Sequence, residues 1–193
     1  MTKLLGCLLN GKGKMMAVNS EDVYGTPAII DNSVLNEFAA LGAVKLLKLV
    51  FAPVYMAENM IRDEVRFPNA EAAFDELAPI HIALDTEHGL RCWSEIMTKR
   101  KVLSRYDAEV IALAIERSLV CCTSDRAMMK TCDIYQVRRI GTLGVLACAY
   151  QHGHVNEGTF RSLVDKLFSL PNARYSESTK QGFKSSFPEI FGE

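Results

Sequence analysis

The chain has 193 residues, 49% of them hydrophobic and 23% charged, with a net charge of −1 and a pI of about 6.4. That composition excludes a disordered chain and gives one domain of ordinary size a real core. The near-neutral charge excludes nucleic-acid binding through overall basicity, so any such binding must come from a local patch.

Residues 1–24 read as an amino-terminal arm. Within it, Gly11-Lys12-Gly13-Lys14 lacks the GxxxxGK[ST] spacing of a phosphate loop and reads as a flexible basic loop. Leu4-Leu5-Gly6-Cys7 has the look of a lipoprotein cleavage box, but too few residues precede the cysteine to hold a charged segment and an apolar core. No apolar run approaches transmembrane length, so no membrane role is expected. The six cysteines form no CxxC pair, which fits a reduced compartment, and the expectation is a cytoplasmic protein.

The main domain spans 25–170. It opens on Pro27-Ala28-Ile29-Ile30-Asp31, a short apolar run that suits a strand buried on both faces and ends on a carboxylate. Asn32 or Ser33 then caps a helix with Leu35, Phe38 and Ala39 at helical spacing, closed by Gly42. Leu46, Leu47, Val50 and Phe51 make a second apolar helical face, and residues 34–51 together offer a dimer surface. A short strand at 53–56 precedes a helix over 58–65, where Ile61 and Val65 pack inward and Glu64 falls near the end. If Met60 were the apolar anchor instead, the inward acid would be Asp63. A helix over 69–77 and a strand over 79–84 follow, then a helix over 86–98 and the basic triplet Lys99-Arg100-Lys101.

The next helix opens at Ser104 or Arg105 and buries Val110, Ile111, Ala114 and Ile115. Asp107 lies one turn before that stripe on the same face. Residues 119–123 form a buried strand, and Ser124-Asp125 caps the helix running through Met128 and Met129. A strand over 136–140 and helices over 143–152 and 156–169 complete the domain, and Pro171 breaks the last of them. His152-x-His154 reads as a loop rather than a metal site. The tail over 171–193 is rich in serine but carries Phe183, Phe187 and Phe191, and is expected to dock on the body. Strands alternating with helices predict an α/β fold: a doubly wound, mostly parallel sheet in three α/β/α layers.

Asp31 and Asp125 close buried strands, Asp107 sits in a first helical turn, and Glu64 lies near a helix end. Singly, Asp125 is a helix cap, Asp107 complements a helix dipole and Glu64 is a solvated helix residue. On one rim they would form a negative pocket best kept ionised by a divalent hard cation. Oxygen-only ligands favour Mg²⁺ or Mn²⁺ over zinc. Such an ion can activate water and stabilise in-line phosphodiester displacement. The Thr123 hydroxyl, two residues before Asp125, is placed to orient a water or a neighbouring carboxylate.

Four segments resemble the PIN-domain nucleases. Ile29-Ile30-Asp31-Asn32-Ser33-Val34-Leu35 is similar to their opening "(I/V)(I/V)DxSxL", with Asn32 where Thr is common. Ile61-Arg62-Asp63-Glu64-Val65 resembles "VxxEL", the segment from Leu103 to Ala114 resembles the helix of the third acid, and Thr123-Ser124-Asp125-Arg126 the "TxD" element. Ile140-Gly141-Thr142-Leu143-Gly144-Val145-Leu146 resembles a segment of the prokaryotic VapC-like branch. The resemblance covers about residues 27–155. It implies a metal-dependent endoribonuclease, often the toxin of a toxin–antitoxin pair, with Asp31, Glu64, Asp107 and Asp125 at the metal and Asn32, Thr123 and Asp63 in support. Lys99, Arg100, Lys101, Arg105 and Arg126 would contact RNA phosphates. The alternatives are a catalytically silent PIN-like binding scaffold and a nuclease acting on DNA. A haloacid-dehalogenase-type phosphatase would need an Asp where Ser33 stands, and a receiver domain an early acidic pair and a late-strand lysine.

Overall fold

A computed structural model describes residues 22–171 and 175–192. The arm through residue 21, with Cys7 and Gly11 to Lys14, lies outside them. The two most apolar runs become Ala28–Ile30 (β1) and Val120–Cys122 (β4), each buried at every position, as strands covered on both faces must be. Val54–Ala57 (β2), Ile80–Ile82 (β3) and Arg139–Ile140 (β5) complete a five-stranded sheet in the order β3-β2-β1-β4-β5, every pair parallel. The register pairs Ile30 with Cys122 at the centre. From β1 the chain builds outward first through β2 and β3, then on the other side through β4 and β5. The order therefore reverses between β1 and β4, where open α/β sheets leave a crevice beyond the carboxyl ends of the strands.

The helices are Asn32–Leu41 (α1), Lys45–Val50 (α2), Glu58–Glu64 (α3), Ala70–Leu77 (α4), Glu87–Lys99 (α5), Arg105–Glu116 (α6), Arg126–Ile134 (α7), Thr142–Gln151 (α8), Glu157–Ser169 (α9), Glu177–Ser185 (α10) and Pro188–Phe191 (α11). They sort into two layers. α6 lies against β1, β2 and β4 with α5 and α7 beside it, while α8 meets α1, α2 and α9, and α4 meets α1 and α2. The fold is the three-layer α/β/α arrangement that the alternating pattern predicts.

Local details differ from the sequence reading in five places, one of them the strand expected over 136–140, which is Arg139–Ile140 alone because it too lies at an edge of the sheet. Asn32 and Ser33 do not cap α1. The N-cap is Asp31, in extended conformation, and its carboxylate bonds elsewhere instead of closing the helix end. The inward anchor of α3 is Met60, fully buried, whereas Ile61 and Val65 are half-buried. β3 is only Ile80–Ile82, with Ile80 and His81 exposed, because it is the sheet's edge and has one neighbour. Leu35, Phe38, Leu46, Leu47 and Val50 are spent in the core, so Leu49 is the large exposed apolar side chain of the 34–51 stretch.

The tail contributes to the core. Phe160 of α9 stacks on Tyr150 at 4.7 Å between ring centroids and meets Phe187 edge-on at 5.1 Å and Phe191 at 6.0 Å. Phe183 and Phe187 are buried against this cluster.

Candidate active site

Asp31 follows β1 directly, and its backbone N–H extends the ladder to the Cys122 carbonyl at 2.9 Å. Its side chain is 5% exposed, so the sheet has carried a carboxylate into the edge of the core. Two hydroxyls hold its Oδ2. Thr123, the residue after β4, donates at 3.0 Å, and Ser33 donates from the first turn of α1. The Thr123 oxygen also accepts the Asp125 N–H at 3.1 Å, so one hydroxyl fixes both the first acid and the loop that carries the fourth.

Asp107 and Asp125 satisfy their capping duties with half of each carboxylate. Asp107 Oδ2 accepts from Ser104 N at 2.8 Å while Ser104 Oγ accepts from Asp107 N at 3.1 Å, a complete capping box for α6. Asp125 Oδ1 accepts from Met128 N at 2.8 Å at the head of α7. Among the described residues, the hydrogen bonds to these two carboxylates come from the caps alone. Capping and ligation are therefore compatible here, not rival explanations of the same residues.

The adjacent acids Asp63 and Glu64 diverge. Asp63 is gripped by Arg62 at 3.0 Å, Arg105 at 3.2 Å and the Tyr106 hydroxyl at 2.8 Å. The Arg62 hydrogen bond above all, then that of Tyr106, pulls its carboxyl down to about 2. Glu64 lies one turn beyond buried Met60 on the inward face and is pushed up to about 7. Burial is the main cause, and the charges of Asp107 and Asp31 add to it. Met60 thus selects Glu64 at i+4, where the sequence argument had Met60 pointing to Asp63.

The same mutual repulsion links the rest. Burial pushes Asp31 up to about 6, with the Asp107 charge contributing. Burial also raises Asp107, with Asp125 adding to the effect. Acids from four separated segments therefore feel one another across a single rim at the β1–β4 switch. Asn32 lies among them: its Nδ2 donates to the Glu64 carbonyl at 3.1 Å, and its Oδ1 is buried with no hydrogen-bond partner among the described residues.

Among the described residues no three acidic, His or Cys side chains stand close enough together to hold a metal ion by themselves. The electrostatic coupling still identifies a shared field, and an open acidic rim is what a small hard cation requires. Mg²⁺ keeps several waters and uses one or two carboxylates, unlike a fully caged ion. The donor set is oxygen only, it is charge-frustrated without a counter-ion, and Asn32 Oδ1 is unsatisfied beside it. The residues present fit such a cation. The histidines are engaged elsewhere: Tyr24 stacks on His152 with centroids 3.6 Å apart and its hydroxyl meets His154 Nε2 at 2.9 Å.

The five basic residues expected at phosphates have unequal freedom. Arg105 and Arg126 open α6 and α7, beside Asp107 and Asp125, although Arg105 is shared with Asp63 and lies over the Tyr106 ring at 4.5 Å. Lys99 pairs with Glu95 at 2.9 Å, Arg100 bonds Thr131 at 3.3 Å, and Lys101 is exposed.

Sequence reasoning missed a second polar knot beside the rim. Glu37 of α1 accepts from Ser124 Oγ at 2.9 Å and from Thr142 Oγ1, and the Tyr175 hydroxyl bonds Ser124 and Thr142. Burial raises Glu37 and Tyr175. Only the Ser124-Asp125 adjacency hinted at it. Gly141 belongs to the same corner: a Cβ there would stand 2.9 Å from Met129 Cε and 3.4 Å from the Thr123 carbonyl, so glycine lets α8 begin hard against the strand end that bears the site.

Comparison with known protein families matches residues 27–189 to the PIN domain. The matched span runs past the sequence resemblance at residue 155 and takes in α9, α10 and part of α11. No curated protein matches the chain.

Proposed function

The chain belongs to the PIN-domain family, and from that premise we propose that it is a metal-dependent endoribonuclease. PIN domains are in general nucleases that use divalent metals. In this reading Asp31, Glu64 and Asp107 hold Mg²⁺ or Mn²⁺, with Asp125 bound directly or through water. The observation that carries it is the convergence of Asp31, Glu64 and Asp107 from three segments: burial raises all three, the Asp107 charge adds to the rise at Asp31 and Glu64, and a shared cation would relieve it. Bound there, the ion supplies an acidified water and neutralises charge at the phosphate under attack.

The protein's own residues do the positioning. Ser33 and Thr123 hold Asp31, the Ser104 box holds Asp107, and Asn32 offers its unpartnered oxygen at the rim. Arg105 and Arg126 are the phosphate-binding residues of this reading, the ones at the heads of the helices that bear the acids, with Lys101 next. The toxin role and an antitoxin partner rest on the VapC-like segment at Ile140 to Leu146 alone, and growth arrest on induction tests them.

Sequencing of RNA 5′ ends after brief induction of wild type and Asp31→Asn is the decisive experiment. New ends in wild type only, and loss of cleavage by purified protein in EDTA, are expected. Folded protein that cleaves no RNA with either metal refutes the reading, and cleavage of DNA alone reassigns the substrate.

A further inference from the structure

A cavity of about 280 Å³ opens between α3, α5 and α6, beside the acidic rim and outside it. Its walls are Trp93, Tyr106 and the half-exposed Leu90. Its innermost group is Glu109, only 4% exposed although it sits in the otherwise apolar stripe of α6 from Ala108 to Ala114. One Glu109 oxygen accepts from Asn59 Nδ2 at 2.8 Å, and the other has no partner among the described residues. A buried carboxylate inside a helix stripe is costly to keep, and only the Asn59 hydrogen bond and the nearby Arg62 and Arg105 charges offset that cost here. At the mouth, Arg62 and Arg105 share the carboxylate of Asp63 and face Glu109 from the outer side of the cavity, so the two positive charges stand outside and the inner carboxylate within.

We propose that this cavity is a nucleobase subsite that selects guanine in the RNA strand entering the acidic rim. The size admits one base rather than a dinucleotide. Aromatic and aliphatic walls suit the faces of an unstacked base, and single-stranded RNA is read by such stacking with hydrogen bonds to the exposed base edge. The Glu109 carboxylate accepts hydrogen bonds only, and guanine alone among the four bases offers two adjacent donors, N1–H and the exocyclic N2–H₂, on its pairing edge. Arg62 and Arg105 at the mouth are placed to meet the attached phosphate, and an arginine or lysine of a partner protein would have to pass both of them to reach Glu109. Continuity along the chain joins the subsite to the rim, since Tyr106 precedes Asp107 and Asp63 precedes Glu64.

The place of the pocket in RNA cleavage rests on the nuclease reading, but guanine selection by the pocket does not. Trp93 is the only tryptophan in the chain, so its fluorescence reports the cavity directly. Titration with GMP, AMP, CMP and UMP in EDTA should show saturable quenching, with GMP bound at least about tenfold more tightly than the others. Glu109→Gln keeps an acceptor for Asn59 and should reduce that preference to less than about threefold. Equal quenching by all four nucleotides overturns the proposal, as does a preference that survives Glu109→Gln. Quenching by an arginine-rich peptide and by no nucleotide overturns it in favour of a protein partner. Guanine preference in a protein that cleaves no RNA upholds the pocket and fells the nuclease reading alone.

Discussion

Asp31 combines burial, two hydroxyl donors and like-charged neighbours, and its carboxyl stands at about 6 against an ordinary 3.8. The fold therefore prefers the protonated acid. Its contribution to stability is full below about pH 4 and is lost as pH rises through about 6, a change on the order of 3 kcal/mol. In EDTA, the melting temperature of wild type should fall across that window, and Asp31→Asn should flatten the profile and melt higher at pH 7. Mn²⁺ should reverse the fall in wild type and leave the variant unmoved, since only a bound native state gains from ligand. Circular dichroism melts at several pH values, with and without metal, measure all of this. An unchanged pH profile in Asp31→Asn would mean that the residue is not the frustrated charge described above.

Among the elements, α6 has the most to do, because its amino-terminal turn is both a capping box and the carrier of Asp107. Ser104→Ala removes the acceptor for Asp107 N and loosens the return bond to Oδ2. The expected cost is about 1 kcal/mol, or a drop of roughly 2–4 °C in Tm for a chain of this size. Cleavage should fall more than that small loss of stability explains, since Asp107 loses its fixed orientation. Equal stability with unimpaired cleavage would show that the box does not position the acid. The stripe of this helix was legible from 3.6-residue periodicity, and so was the inward side of Asp107. Glu109 was not, because an acid amid apolar neighbours carries no periodic signature and gains its meaning only from Asn59, fifty positions earlier.

For the molecule as a whole, the aromatic contacts of Phe160 with Phe187 and Phe191 tie the tail to the domain. Phe187→Ala should cost about 3–5 kcal/mol and speed tryptic cleavage at Lys180 and Lys184, followed by mass spectrometry. Cleavage at the wild-type rate would place the strength of the seam elsewhere. The parallel sheet could be anticipated because buried strands such as Ala28–Ile30 have an unmistakable composition, and the place of Asp31 at a strand's carboxyl end came with it. The edge strand was overread because Pro79 to Leu84 is apolar enough to pass for a longer one. The register of α3 misled because Ile61 and Met60 are equally apolar, and only the packed fold decides which of them turns inward. The knot of Glu37, Ser124, Thr142 and Tyr175 draws on four segments with no shared motif, and the adjacency of Ser124 to Asp125 is its one local trace.

Asp63 and Glu64 are chain neighbours whose carboxyls stand at about 2 and about 7. Carbodiimides attack carboxyl groups that still hold their proton. At mildly acidic pH such a reagent should modify Glu64 and pass over Asp63, and peptide mapping would locate the adduct. Added Mn²⁺ should protect Glu64 by displacing that proton. Two acids joined by one peptide bond would thus differ in reactivity as sharply as two different functional groups.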